Sequence, residues 1–400
     1  SIAYYHRTQL EYHERQWEQT DPNHQFSPAF TYNQVCGGGD NGSGFEDNMG
    51  LITESGCASL VDAPYHDNNC TSWPSESAYS HAIPFRVKEW AWFRTWDTTG
   101  INMIKQLLAN GSTSCLAIRV YGNFDAIASF DYMYCVADKM GSNRGGHLVT
   151  FLGYDDTLTT HDVKGAFRMV NSWGPGWGQQ GYFWMSYEAV MDGDLSQQAV
   201  GYMTDTLGYE PKLLARVKID HPTRDRVAIE FSVGRRWSAL WMKDFRSWRN
   251  ARTDQPFPAN KMVFDLTDAA SFITGGQTDS IYFCTWDTRA DGRTGTVLSS
   301  SVQYLDWGTI LASGSTPVAI PDNGDAVAAG HRIQQLDLDA TVTGILAPSG
   351  IVEPESSYVP GVEVWNFGEE PATFPVFLSI GSAYRDTAQV SGLEHGRAET

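Results

Sequence analysis

The hydrophobic period of this chain changes near residue 208, and that change restricts its architecture more than any other feature. Before it, residues 1–20 place Ile2, Ala3, Leu10 and Trp17 at spacings near seven among Glu and Arg. That spacing predicts an amphipathic helix, stopped by Asp21-Pro22-Asn23. A glycine-rich loop, CGGGDNGSG (36–44), leads to a short helix at 46–56 closed by glycine, and another helix is expected at 101–111. Runs at 115–122, 147–156, 165–174 and 181–190 read as strands. Residues 1–205 therefore carry helices first and strands second, an α+β pattern of two halves packed together. After 208 the helical period is gone. LLARVKIDHPTRDRVAIEFSVG (213–234) has two alternating runs split by a turn, and short strands between Gly, Pro and Asp turns continue from there. This is the pattern of all-β sandwich domains. A further alternating segment starts near 331. A length of 400 residues fits two or three domains, here 1–207, 208–330 and 331–400.

Composition narrows function by exclusion. The formal net charge is −19 and the pI about 4.8. Nucleic acid and anionic membrane surfaces are poor partners for such a chain, because phosphate contact needs clustered Lys and Arg. No apolar run reaches the eighteen residues of a membrane span. The six cysteines include no Cys-x-x-Cys, which argues against a zinc ribbon or a thioredoxin-type site. Cys57 and Cys70 flank a loop rich in Asp and Asn and are a candidate disulfide.

The chemistry concentrates around VNSWGPGWGQQGY (170–182) and GGHLVTFLGYDD (145–156). Two glycines precede His147, leaving one face of its ring open to a substrate backbone. If the 165–173 strand returns antiparallel to the His147 strand, with 157–164 as the hairpin, Asn171 comes beside His147. The Asn amide oxygen then accepts the imidazole N–H and fixes the tautomer, without opposing a charge on the ring's partner. Trp173, two residues on, is expected on the same strand face, where its indole shields that bond. Gly174, Gly176 and Gly178 let the chain turn tightly beside it. A lone His at a strand start is usually an ordinary core or surface residue. Here Gly-Gly-His on one strand and Asn-Ser-Trp-Gly on the next shift the weight toward a site.

That combination resembles the papain family of cysteine peptidases. GGHLVTFLGYDD is similar to the family's histidine strand, and VNSWGPGWGQQGYFWMSY to its asparagine strand, with both Trp-Gly pairs and the following Gly-Tyr. FSPAFTYNQ and SGCASLVDAPYHDNNC resemble the family's earlier segments, as bacterial members write them, so the likeness covers about 1–205. It implies a papain-like fold, a helical half plus a β-barrel-like half. It implies His147 as general base, Asn171 as its orienter, and Trp173 with Trp177 as the shield. Gly146 and Leu148 would flank the substrate channel. The glycine-rich loop would pair with an extended substrate. Gly42 and Ser43 are the preferred residues for that pairing, Gly37 and Gly38 the alternative.

The family's nucleophilic Cys stands at the start of the first helix, where the helix dipole and an imidazolium lower the thiol pKa. SIAYYHRTQLEY matches the body of that helix, so the nucleophile is expected a few residues before Ser1. Cys36 lies on the wrong side of the helix in sequence, and Cys57 and Cys70 lie in a loop, so none is a good substitute. The nucleophile then sits on an upstream segment, on a separate N-terminal fragment, or is replaced in a non-catalytic relative.

The later segments resemble other modules. ARVKIDHPTRDRVAIEFSVG with TPVAIPDNG looks like the P domain of proprotein convertases, and the region after 331 is similar to part of a bacterial immunoglobulin-like module. Both imply an extracellular, secreted or cell-surface protein. Asp287, Asp291, Asp322 and Asp325 in turns are candidate Ca²⁺ ligands, with solvated turn carboxylates as the plainer reading, and no other cofactor is expected. His221 reads as a turn residue. Two functions compete. One is a papain-like endopeptidase acting on polypeptides. The other is an inactive pseudo-peptidase serving as an extracellular binding or structural subunit for a protein partner.

Overall fold

The computed structural model describes the chain except residues 41, 246–254, 274–278, 306–309, 334–339, 348–358, 367–369 and 381–383. The first helix begins as a wide π-turn, Ile2–Arg7, and continues as α1, Thr8–Arg15. It ends earlier than its hydrophobic spacing predicts, where Gln16 turns left-handed (φ 54°). Trp17 therefore lies beyond the helix, stacked on His24 with ring centroids 4.2 Å apart. Its burial comes from that fold-back, not from a helical face.

The inner face of this helix buries Ile2, Ala3 and Leu10 together with His6, Arg7 and Glu11. Buried polar groups need partners, and these have them. His6 Nε2 accepts the Met203 N–H (3.0 Å), so its Nδ1–H donates to Thr113 Oγ1 (2.8 Å). Arg7 pairs with Glu11 and, at 3.1 Å, with Asp205.

The following helices carry their own start signals. Ser27 caps α2 (Pro28–Val35) by accepting the Ala29 N–H at 3.1 Å, with Pro28 in the first position. α3 (Phe45–Ser55) stops at Gly56. Ser75 caps α4 (Glu76–Ala82) and Asp97 caps α5 (Thr98–Ala109).

One seven-stranded sheet holds β1 (Val87–Arg94), β2 (Ser114–Arg119), β3 (Met133–Tyr134), β4 (Gly146–Thr159), β5 (Lys164–Val170), β6 (Tyr182–Ser186) and β7 (Ser196–Asp205). Their order is β1-β7-β2-β4-β5-β6-β3. Short helices α6 (Gly122–Asp125) and α7 (Tyr187–Met191) lie in the connections. β4 and β5 are antiparallel neighbours, with Thr150 opposite Val170. Two expected strands are shorter than their apolar runs. β5 stops at Val170, and β6 gives way to α7 because Ser186 accepts the Ala189 N–H at 3.0 Å as a helix cap.

The later chain forms β8 (Leu213–Asp220), β9 (Val227–Val233), β10 (Trp241–Asp244), β11 (Met262–Asp265), β12 (Asp279–Asp287), β13 (Gly295–Tyr304), β14 (Ile310–Ala312), β15 (Val318–Ile320) and β16 (Val327–Ile333). These make two sheets, β10-β9-β12-β16 and β11-β8-β13-β14, with β15 against β13. The two runs of LLARVKIDHPTRDRVAIEFSVG thus enter different sheets. Val217, Phe231, Phe264, Phe283 and Val302 from these sheets share one core with Phe26, Phe30, Ile52 and Tyr79 of the helical layer. Arg86 reaches across that junction to Asp265, which also accepts from Tyr209 Oη. Beyond lie strands Ala340–Ala347, Gly361–Asn366, Ala372–Ile380, Tyr384–Leu393 and Arg397–Glu399, with a small core of Val364, Val390 and Leu393.

All six cysteines are unpaired. The suggested Cys57–Cys70 disulfide is absent because Cys57 is sealed in the core, whereas Cys70 lies by Cys36, whose Sγ is 3.0 Å from its carbonyl. Among the described residues, no helix is long and apolar enough to cross a membrane.

Candidate active site

His147 is the second residue of β4 and Asn171 follows the last residue of β5, so the open end of one hairpin ladder sets them side by side. The bond between His147 Nε2 and Asn171 Oδ1 is 2.7 Å. Asn171 is buried, and its Oδ1 also accepts the Ser172 N–H at 2.7 Å. Because an amide oxygen only accepts, Nε2 carries the hydrogen and Nδ1 is left as the basic nitrogen. Burial pulls the His147 pKa below its ordinary value of 6.5, and the Asn171 bond opposes that shift. The ring is therefore neutral at pH 7 and able to take a proton.

Ser1 is held to the strand that carries His147. Its hydroxyl donates to the Leu148 carbonyl at 2.6 Å. Tyr5 Oη donates to the Asn171 carbonyl at 3.2 Å. The start of the first helix is thus fixed to Asn171 and to Leu148, the residue after His147.

An aromatic wall covers the site, though by a different route from the one expected. Trp173 is not on the strand, since β5 has ended; it sits in the turn that follows. Its ring centroid is 5.2 Å from that of His147. Trp177 packs edge-on to Trp173 at 5.6 Å, and its Nε1–H donates to the Phe124 carbonyl at 3.2 Å. Phe124, fully buried in α6, lies 5.2 Å from Trp173 and 4.8 Å from Trp177. The sequence reading missed Phe124, because no periodicity connects it with residues so far along the chain. The turn needs glycine at Gly174 (φ 80°) and at Gly178 (φ 60°), where a Cβ would meet the Tyr182 carbonyl at 2.6 Å.

The other expected site residues are placed as follows. Gly146 is exposed beside His147, and Leu148 is partly buried with its carbonyl taken by Ser1. The Gly42 N–H donates to Tyr32 Oη (3.1 Å), and Ser43 Oγ accepts from Asn48 (2.8 Å); neither bond touches the His147–Asn171 pair. A Cβ at Gly42 would meet nothing within 4 Å, so that edge is open. At Gly38, by contrast, a Cβ would strike the Gln255 side chain at 2.3 Å, so the alternative stretch is covered by the later chain.

His221 is a fully buried residue, not an exposed turn: its Nε2 lies 3.1 Å from Asp287 Oδ2, and Nδ1 accepts the Thr223 N–H. Asp287, Asp291 and Asp322 bring carboxylate oxygens within 4.8 Å of one another, and Asp325 is not in that group. All three are already engaged. Asp291 pairs with Arg226, and Asp322 accepts the N–H groups of Asp291 (2.9 Å) and Gly292 (3.0 Å).

Residues 28–203 match the sequence model of the papain family cysteine protease. His147, Asn171, Trp173 and Trp177 all fall inside the matched residues. A cathepsin B-like protein, CP3, of Giardia intestinalis is 36% identical over 80 residues, which is 20% of this chain and 24% of that relative. The chain therefore spans about a quarter of the curated relative it matches. Among solved structures, xylellain, a cysteine protease from Xylella fastidiosa, is similar at 23% identity and a TM-score of 0.42, covering 50% of this chain and 76% of that one. The bromelain protease from Ananas comosus in complex with the E64 inhibitor is similar at 17% identity and a TM-score of 0.38, covering 51% and 86%.

Proposed function

We propose that this chain is a papain-like cysteine endopeptidase whose nucleophilic Cys lies just upstream of Ser1 and whose site is Cys-His147-Asn171. The observation that carries this reading is the 2.7 Å bond holding His147 Nε2 on Asn171 Oδ1, with the Ser1 hydroxyl bonded to the carbonyl of the next residue, Leu148. A thiol on the segment entering Ser1 meets the free Nδ1, which takes its proton. The thiolate attacks the peptide carbonyl, the imidazolium protonates the leaving amine, and water then cleaves the acyl-enzyme with His147 again as base. Asn171 holds the ring's aim through the cycle. Trp173, Trp177 and Phe124 exclude water from the His147–Asn171 bond, which strengthens it. Gly42, Ser43, Gly146 and Leu148 line the path of an extended polypeptide substrate. The resemblance of the later sequence segments to a P domain and an immunoglobulin-like module favours a secreted or cell-surface enzyme.

Hydrolysis of a fluorogenic peptide by the protein carrying its native upstream residues tests this reading. Expected is turnover abolished by thiol alkylation, with kcat/KM falling at least ~10²-fold in His147→Ala. No turnover, or turnover indifferent to His147→Ala, contradicts it.

A further inference from the structure

The tip of the β4–β5 hairpin holds a second set of reactive side chains that peptide hydrolysis leaves unused. The hairpin turns at 160–163, where the Thr160 N–H donates to the Val163 carbonyl at 3.2 Å. Facing it is the turn after β3, where the Asp138 N–H returns to the Cys135 carbonyl at 3.3 Å. Asp162 fastens the two turns together. Its Oδ2 accepts the Val136 N–H (2.9 Å) and the Ser186 hydroxyl, and its Oδ1 accepts the Ala137 N–H (2.8 Å). Held this way, Cys135 Sγ, an Asp138 carboxylate oxygen and a His161 ring nitrogen lie within 4.8 Å of one another. His161 Nδ1 is 2.7 Å from Asp138 Oδ2, and Nε2 is 3.3 Å from Asp131 Oδ2. Cys135 is buried, Asp138 mostly so, and His161 half-open to solvent.

We propose that Cys135, Asp138 and His161 form a binding site for a divalent transition-metal ion of the zinc type. A thiolate, an imidazole and a carboxylate suit zinc, whereas calcium and magnesium take oxygen donors almost throughout. Three ligands on two turns leave the fourth tetrahedral position for water. The ring presents Nδ1 to the metal beside Asp138, and Nε2–H then donates to Asp131. That is the carboxylate–imidazole–metal relay which fixes a ligand's tautomer. A thiolate and an unprotonated ring nitrogen are what a metal binds, so affinity falls as pH falls. The ion would clasp the far end of the hairpin whose near end carries His147 and Asn171, and no ligand touches that pair.

The test uses the purified protein, stripped by chelator and titrated with Zn²⁺ or Co²⁺ alone. Expected are stoichiometric binding with proton release, an ultraviolet thiolate-to-cobalt charge-transfer band, and a thermal midpoint that rises with zinc. Cys135→Ser and His161→Gln lose the band. Asp131→Asn, exposed and outside the ligand set, keeps the band and binds about 10-fold more weakly. A cobalt spectrum without a thiolate band overturns the proposal, as does a band that survives in both Cys135→Ser and His161→Gln. Should Cys135→Ser fail to fold, the solvent-facing His161 and Asp131 variants decide on the same readouts.

Discussion

At the scale of single residues, one hydrogen bond decides which ring nitrogen of His147 is chemically available. With Nε2 held by Asn171, Nδ1 is the nitrogen free to accept a proton, and burial pulls the ring's pKa below 6.5. NMR titration of the His147 ring should therefore give a midpoint below 6.5. Asn171→Asp replaces a neutral acceptor by an anion and should raise that midpoint by about one unit, moving the acidic limb of the pH–rate profile upward with it. Asn171→Ala leaves the ring free to rotate and should lower kcat about tenfold or more, with little change in KM. A profile unmoved in Asn171→Asp would show that the bond does not govern the base. This pair was legible in the sequence because Gly-Gly-His and Asn-Ser-Trp-Gly each mark a strand end. Phe124 was not, because its place beneath the tryptophans depends on α6 folding under a turn some fifty residues later in the chain.

At the scale of elements, the joints between helices and sheet carry the stability. His6 ties the first helix to β7 through the Met203 N–H, and burial, chiefly, holds its pKa down to about 3. The folded protein therefore refuses a proton that the unfolded chain accepts near 6.5. Stability from this group is complete above pH 6.5 and is lost progressively as pH falls toward 3. Between pH 6.5 and 5 the loss is about 2 kcal/mol. Denaturant unfolding at several pH values should show that slope in the wild type and a shallower one in His6→Gln. Gly56 closes α3 with φ 73°, and a Cβ there would fall 1.8 Å from the Ala82 carbonyl. Gly56→Ala should cost about 2–3 kcal/mol, read as a lowered denaturation midpoint. The glycine stop of α3 could be read from EDNMGLITESG, since glycine after an apolar period is a local signal. The early end of α1 and the conversion of 187–191 to helix could not, because a left-handed Gln16 and a serine cap are decided by the packing around them.

At the scale of the molecule, the helical layer and the sheets after 213 share a single core, so the front unit does not stand alone. Arg86 and Asp265 meet at that junction with Asp265 fully buried. Asp265→Ala leaves a guanidinium without its partner and should cost about 3–5 kcal/mol. Because both parts share apolar neighbours, its unfolding should remain one transition rather than split in two. The period change near 208 was legible because it follows composition. The shared core was not, since nothing local in 213–234 says that its two runs enter different sheets or that Arg216 on the first of them pairs with Glu76 of α4. The central claim is that His147 and Asn171 serve a thiol delivered by the segment preceding Ser1. The most direct measurement is to treat the protein bearing its native upstream residues with an epoxide thiol inhibitor and map the adduct by peptide mass spectrometry. A single adduct on a cysteine within a few residues before Ser1, lost in His147→Ala, is the predicted result. An adduct on Cys36 or Cys70, or none at all because another residue occupies that position, would contradict it.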